Sequence, residues 1–283
     1  MPLLKIANGI VYDPINGVNG VVVDLWIRDG KIVAPPGANA PGSPDRVFDA
    51  AGLVVMPGGV DMHAHIAGPK VNLARKLRPE ERRKAPFVHR TPLTRSGTVG
   101  STPSTFATGY LYAGLGYTTA FDAAIPPLGA RHAHEEFHDT PLIDKGFFVL
   151  FGNNHYVMRQ IADKEPEKLR AFVGWLLDAA KGYAVKLVNP GGVEEWKSGL
   201  GNINDLDTPV HHFGVTARQI ITELAQTAMD LGLPHPVHIH CNNLGIPGNW
   251  KTTLATMQAL EGRRAHLTHI QFHSYGGEPD DQA

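Results

Sequence analysis

From Leu53 onward the chain repeats one unit, a short apolar run followed by a loop and a stretch of helical spacing. This alternation restricts the possible folds more than any other feature. Runs at 53–56, 118–124, 146–152, 183–188, 236–240 and 265–270 read as strands, and helical stretches at 104–115, 128–138, 165–181, 216–231 and 250–261 separate them. Leu169, Phe172, Val173, Leu176 and Leu177 fall on one stripe of the third stretch; Ile220, Ile221, Leu224, Ala228 and Leu231 do so in the fourth. Strands alternating with helices predict a parallel sheet with functional residues on loops at the strands' C-terminal ends. Residues 1–56 differ. Leu3–Ile6, Val21–Ile27 and Lys31–Val33 read as strands broken at Asn8-Gly9 and Asp29-Gly30, which predicts a small layer of antiparallel hairpins. The expected organisation is an N-terminal β-portion over 1–56 and an α/β portion over 57–283.

With 283 residues, 42% of them hydrophobic, the chain can bury a sizeable core. A formal net charge of −1 gives no overall field for nucleic acid. One cysteine, Cys241, excludes an internal disulfide and fits a reducing compartment. No basic leader with an apolar core opens the sequence, and no apolar run reaches the ~18 residues that a membrane span requires. A cytoplasmic protein without nucleic-acid or membrane partners is expected.

Chemistry enters at His63-Ala64-His65, after the turn Pro57-Gly58-Gly59. Histidines at i and i+2 of an extended segment share a face, and neutral imidazoles so placed suit zinc or a similar divalent ion. Lys186 lies inside an otherwise apolar strand, Tyr183–Val188. Two readings stand for it: an ammonium that snorkels to a carboxylate, or an amine carbamylated by CO2 into a group that bridges two metals. His238 and His240 share a face of the next strand; His240, at its end, is the better-placed ligand and His238 a supporting group behind it. On the last strand His269 is the candidate ligand, with His266 and His273 expected at the surface or in a pocket, and Cys241 is expected to be a packed thiol.

The runs Asp61-Met62-His63-Ala64-His65-Ile66-Ala67-Gly68, Val185-Lys186-Leu187-Val188-Asn189-Pro190-Gly191 and His238-Ile239-His240-Cys241-Asn242-Asn243-Leu244-Gly245, with His269, resemble the amidohydrolase superfamily. Within it they are most similar to the A subunits of formylmethanofuran dehydrogenases and of formyltransferase/hydrolase complexes. The resemblance implies a distorted (β/α)8 barrel, represented here by about six βα units, with a small N-terminal β-sandwich portion. It implies two zinc ions: His63 and His65 on one, His240 and His269 on the other, and a CO2-derived carbamate on Lys186 between them, with Lys186 and His240 counted as catalytic. The implied reaction is hydrolysis, or reverse condensation, of the formamide of a formyl-methanofuran-type one-carbon carrier, releasing formate. The implied partners are the other subunits of such a complex and the carrier itself with its acidic tail. Strands seven and eight, and the aspartate that the superfamily carries on strand eight, are absent. A piece of a longer polypeptide is therefore expected, and turnover by this chain alone is not.

Lys70, Arg75, Lys76, Arg78, Arg82, Arg83, Lys84, Arg90 and Arg95 face only Glu80 and Glu81 within 69–95. Such a basic segment concentrates anions, so Arg82 and Arg83 are candidates to guide a glutamate-rich tail; a solvated loop or a docking surface for a partner is the other reading. Asn154 and His155 after the third strand and Asn242 after the fifth stand where barrel substrates are contacted, though asparagine also favours turns. A cyclic-amide hydrolase of the dihydroorotase or hydantoinase kind is the alternative enzyme, and an inactive scaffold is the non-enzymatic alternative.

Overall fold

The computed structural model describes residues 2–37, 43–68, 71, 73, 77 and 105–278. The chain divides into two units, Met1–Gly59 and Val60–Ala283.

The first unit is a five-stranded sheet. β1 (Leu4–Asp13) is its centre, flanked by β2 (Val18–Arg28), which carries β3 (Lys31–Val33), and by β4 (Arg46–Asp49) with β5 (Val54–Val55). β1–β2 and β2–β3 are antiparallel as hairpins require, whereas β4 and β5 run parallel to β1. Asn8-Gly9 is not a turn. The register against β2 shifts between Ile6 and Gly9, and Asn8 takes φ 62°, so the pair forms an irregularity inside one long strand. The 53–56 run is not a strand of the second sheet either: Val54 and Val55 pair with Ile10 and Val11.

The second unit begins the repeated pattern at β6 (Gly59–Ala64) and continues through α1 (Phe106–Gly114), β7 (Tyr117–Ile125), α2 (Ala130–His138), β8 (Asp144–Leu150), α3 (His155–Ala162), α4 (Pro166–Ala180) and β9 (Ala184–Val188). Then come α5 (Gly192–Lys197), α6 (Ala217–Asp230), β10 (Val237–His240), α7 (Trp250–Ala259), β11 (Ala265–Leu267) and a 3-10 turn over Ile270–His273. The six strands stand in chain order, β6 to β11, and β7 through β11 pair parallel. The six strands form a curled half-barrel, as the repeated strand–helix pattern predicts.

Helix positions follow local chemistry. Pro166 occupies the first turn of α4, where its missing N–H costs nothing. Leu169, Val173, Leu177 and Ala180 then recur on the buried face, and Lys181 ends the helix in a left-handed conformation. α6 opens on a capping box, Thr216 and Gln219 satisfying each other's backbone N–H, and buries Ile220, Ile221, Leu224 and Ala228. α3 and α5 are additional to the helices expected from sequence.

Strand alternation divides the sheet's faces. Val149, Val185, Leu187, Val237 and Ile239 are completely buried in the core that the helices cover. Each such side chain contributes about 1.5–3 kcal/mol relative to an exposed one. Lys186, His238 and His240, one residue out of phase, project from the opposite face.

Candidate metal centre

β6 delivers the first pair. The His63 and His65 rings meet edge to face, centroids 5.3 Å apart. Asp61, beside them, is committed to structure: Oδ1 accepts from the His63 N–H at 2.9 Å and Oδ2 from the Tyr112 hydroxyl of α1 at 2.8 Å. The turn after His65 is held by Asp122 of β7, whose Oδ2 accepts from the N–H groups of Ile66 (2.9 Å) and Ala67 (3.0 Å). Asp122 Oδ1 accepts from Ala124 N–H at 3.1 Å. Burial raises the Asp122 carboxyl above its ordinary range, against the pull of those three donors and of His65. Sequence reasoning missed Asp122; the signal available was a single acid inside the apolar strand Tyr117–Ile125.

The remaining strands bring their polar residues into lateral register. His238 pairs with Lys186 on one side and with His266 on the other. His238 is stacked on His63 at 5.2 Å, with His63 Nδ1 and His238 Nε2 2.9 Å apart. His63 also meets His269 edge to face at 5.0 Å, and His269 meets His240 at 4.6 Å. The four histidines assigned to metal by sequence therefore form one connected patch. Of the two positions expected for His273, surface or pocket, the surface one is corrected: its side chain is fully buried, because the 3-10 turn folds it back against His240 and His269. His266 is half-buried in a second group with His235 and His238.

Burial, followed by the charge of Lys186, holds His63 down to about 3. Burial and the adjacent His273 and His269 hold His240 down to about 2. Burial pushes His238 and His269 down as well, again with Lys186 as the next cause. At neutral pH these rings are neutral and offer lone pairs, the form in which imidazole binds a metal. Lys186 is 1% exposed, and its Nζ has no hydrogen-bond partner among the described residues. Burial lowers it to about 7, with only a small opposing pull from Cys241. No snorkelling carboxylate is found for it among the described residues, and a buried amine that is readily neutral is the state CO2 reacts with. A set of neutral imidazoles around an orphaned amine fits two divalent metals with a bridging carbamate. Cys241 is buried and pushed up to about 11, as a packed thiol should be.

The proposed substrate residues divide. Asn154 caps α3, its Oδ1 accepting from Val157 N–H at 3.1 Å. His155 pairs with Glu194 at 3.0 Å, and Lys197 holds the other Glu194 oxygen at 2.6 Å. Asn242 is fully buried and donates to the Pro190 carbonyl at 3.1 Å, which ties the ends of β10 and β9 together. A cavity of about 310 Å3 lies beyond the ends of β7, β8 and β9, between Pro126, Asn153, Asn154, Val188 and Lys197. None of the candidate metal ligands lines it. Arg82 and Arg83 lie outside the described residues.

Protein FwdA of Methanocaldococcus jannaschii is 50% identical over 96% of this chain and 48% of its own length. Among A subunits, that of the formyltransferase/hydrolase complex Fhc of Methylorubrum extorquens is 39% identical over 97% of this chain and 48% of its own. The chain thus spans about half the length of the curated relatives it matches. The crystal structure of the FhcABCD complex from Methylorubrum extorquens with methylofuran superposes with a TM-score of 0.84 at 37% identity, covering 97% of this chain and 49% of that one. A family model described as the amidohydrolase family matches residues 46–283, which include every histidine of the centre and Lys186. With its half-barrel and histidine–lysine centre, the chain belongs to the amidohydrolase family.

Proposed function

We propose that this chain supplies the metal-binding part of a site that hydrolyses the formamide of a formyl-methanofuran-type carrier to formate and free amine, or forms it in reverse. It acts within a formyltransferase/hydrolase or formylmethanofuran dehydrogenase complex, as one of its subunits. The observation that carries the reading is the connected patch of His63, His65, His240 and His269 on the same sheet as Lys186, whose buried Nζ has no hydrogen-bond partner among the described residues. The likeness to the Fhc relative supports the carrier class, because the matching complex structure contains methylofuran.

In this reading His63 and His65 hold one zinc ion and His240 and His269 the other. Two such ions supply polarisation of an amide carbonyl and a water made nucleophilic at neutral pH. The protein's own share is positioning. His238 accepts the proton of His63 Nδ1 and so leaves Nε2 free to ligate. The Asp122 carboxylate fixes the turn that follows His65. Asn189 N–H donates to the His240 carbonyl at 3.0 Å and, with the Asn242–Pro190 bond, sets the height of His240 against Lys186. The neutral Lys186 amine would take up CO2 with loss of one proton, and the resulting carbamate would supply carboxylate oxygens to the metals that these histidines would hold.

The test is formate release from a formylated methanofuran-type carrier by the zinc- and bicarbonate-treated protein with its partner subunits, beside dihydroorotate and hydantoin as competing substrates. Formate release that Lys186→Ala abolishes is the expected result. Hydrolysis of the cyclic amides instead, or bound metal without turnover in the full assembly, would contradict the reading.

A further inference from the structure

β11 stops at Leu267, and the chain reverses at His269, whose φ of 31° places a non-glycine residue in left-handed space. The reversal opens the 3-10 turn Ile270–His273, which returns His273 to the side of His269. The two rings stack at 5.1 Å with 24° between their planes, and His240 meets both edge-on, at 4.6 Å to His269 and 4.9 Å to His273. One ring nitrogen from each of the three lies within 4.8 Å of the others. His273 has no exposed surface; neither ring nitrogen makes a hydrogen bond of ordinary geometry among the described residues, and the Asn242 backbone is near enough to act on the ring. His269 Nδ1 likewise makes no hydrogen bond among them. A buried imidazole without well-formed hydrogen bonds is costly, and packing alone is better served by an apolar side chain.

We propose that His273 is a third histidine ligand, with His240 and His269, of the metal position at the ends of β10 and β11. The proposal rests on the metal reading above and deepens it by making the two positions unequal. Three imidazoles and one carbamate oxygen would supply the four ligands that a tetrahedral zinc site takes. Among the described residues the His63–His65 position has fewer protein ligands than the three-histidine one. The first zinc taken up therefore enters the three-histidine position, and the second, weaker one enters at His63 and His65. The spacing His269-x-x-x-His273 serves this role only because the backbone reverses at His269; on a continuing strand the two rings would lie far apart.

The experiment titrates the protein and its His273→Gln variant with zinc against a competing chelator in the presence of bicarbonate. The wild type is expected to bind in two steps. In the variant the tighter step weakens by more than about 100-fold, beyond the about 10–100-fold expected when a supporting hydrogen-bond partner of a ligand is lost, while the weaker step is retained. An unchanged tighter step would overturn the assignment of His273 while leaving the metal centre standing. A wild type that binds no zinc would overturn both. The second measurement requires no variant to fold: in cobalt-loaded wild-type protein with labelled histidines, the His273 ring resonance is expected among the strongly shifted imidazole signals. A His273 resonance at its metal-free position would overturn the proposal.

Discussion

The residue with the greatest consequence for its neighbours is His238. If His63 ligates through Nε2, its proton sits on Nδ1, 2.9 Å from His238 Nε2, which must then be the acceptor. His238 Nδ1, buried and unpartnered among the described residues, consequently carries the second proton. The arrangement fixes one tautomer for each ring and excludes His238 itself as a ligand through Nε2. His238→Phe should lower zinc affinity about 10–100-fold, read by chelator competition, with the fold retained because the site already accepts a ring packed 4.4 Å from Phe148. His238→Gln, which keeps an acceptor, should lie between; equal loss in both variants would contradict the tautomer argument. Lys186 permits a second prediction. Its folded-state value near 7 lies below the ~10.4 of an unfolded lysine. Between the two the unfolded chain binds more protons, so the stability of metal-free, CO2-free protein should rise with pH, by up to about 1.4 kcal/mol per unit. The lowered histidines also raise stability up to about pH 7, so the Lys186 contribution should be read above that and before Cys241 begins to oppose it above ~8.5, and should vanish in Lys186→Met. A flat profile in both proteins over that range would mean that Lys186 is not neutral on burial.

At the scale of elements, the strap between β7 and the turn after β6 is the feature most exposed to test. Asp122→Ala leaves three buried N–H groups without their acceptor, and should cost about 3 kcal/mol in chemical unfolding. A loss of a few tenths would show that those donors find other partners. Long amphipathic elements were legible from sequence, since α4 and α6 carry repeated apolar stripes that only a helix brings to one face. Short ones were not. α5 has six residues and follows a left-handed Gly191, so no full stripe exists to read. Asn154 has the chemistry of a substrate contact and of a helix cap, and the choice depends on α3, whose eight residues show no stripe long enough to mark a helix. The apolar run at 53–56 looked like the first barrel strand because apolar character marks a strand without naming its sheet. His63, Lys186 and His240 stand out as candidates because a polar residue in an apolar strand needs a reason to be there, whereas His65 and His269 lie just past the ends of β6 and β11. His273 does not stand out, since nothing in sequence announces the reversal at His269.

For the whole molecule, family membership sets the scaffold, and the half-barrel places every candidate ligand within the second unit. Among the described residues no helix is long and apolar enough to cross a membrane. The basic segment 69–95 stands out in a chain of net charge −1. If it guides an acidic carrier tail, reversing charge at Arg82 and Arg83 should raise KM for a long-tailed carrier severalfold more than for a short-tailed one. Equal changes for both carriers would assign the segment another role. In the proposed function, one face of this sheet holds a metal pair beside Lys186. The most direct test of that claim is the metal content of the purified protein, prepared with zinc and bicarbonate and measured by elemental mass spectrometry. The expected content is about two zinc ions per chain, falling when bicarbonate is withheld and in Lys186→Met. A chain that retains no zinc, or binds it equally well without Lys186, would contradict the claim.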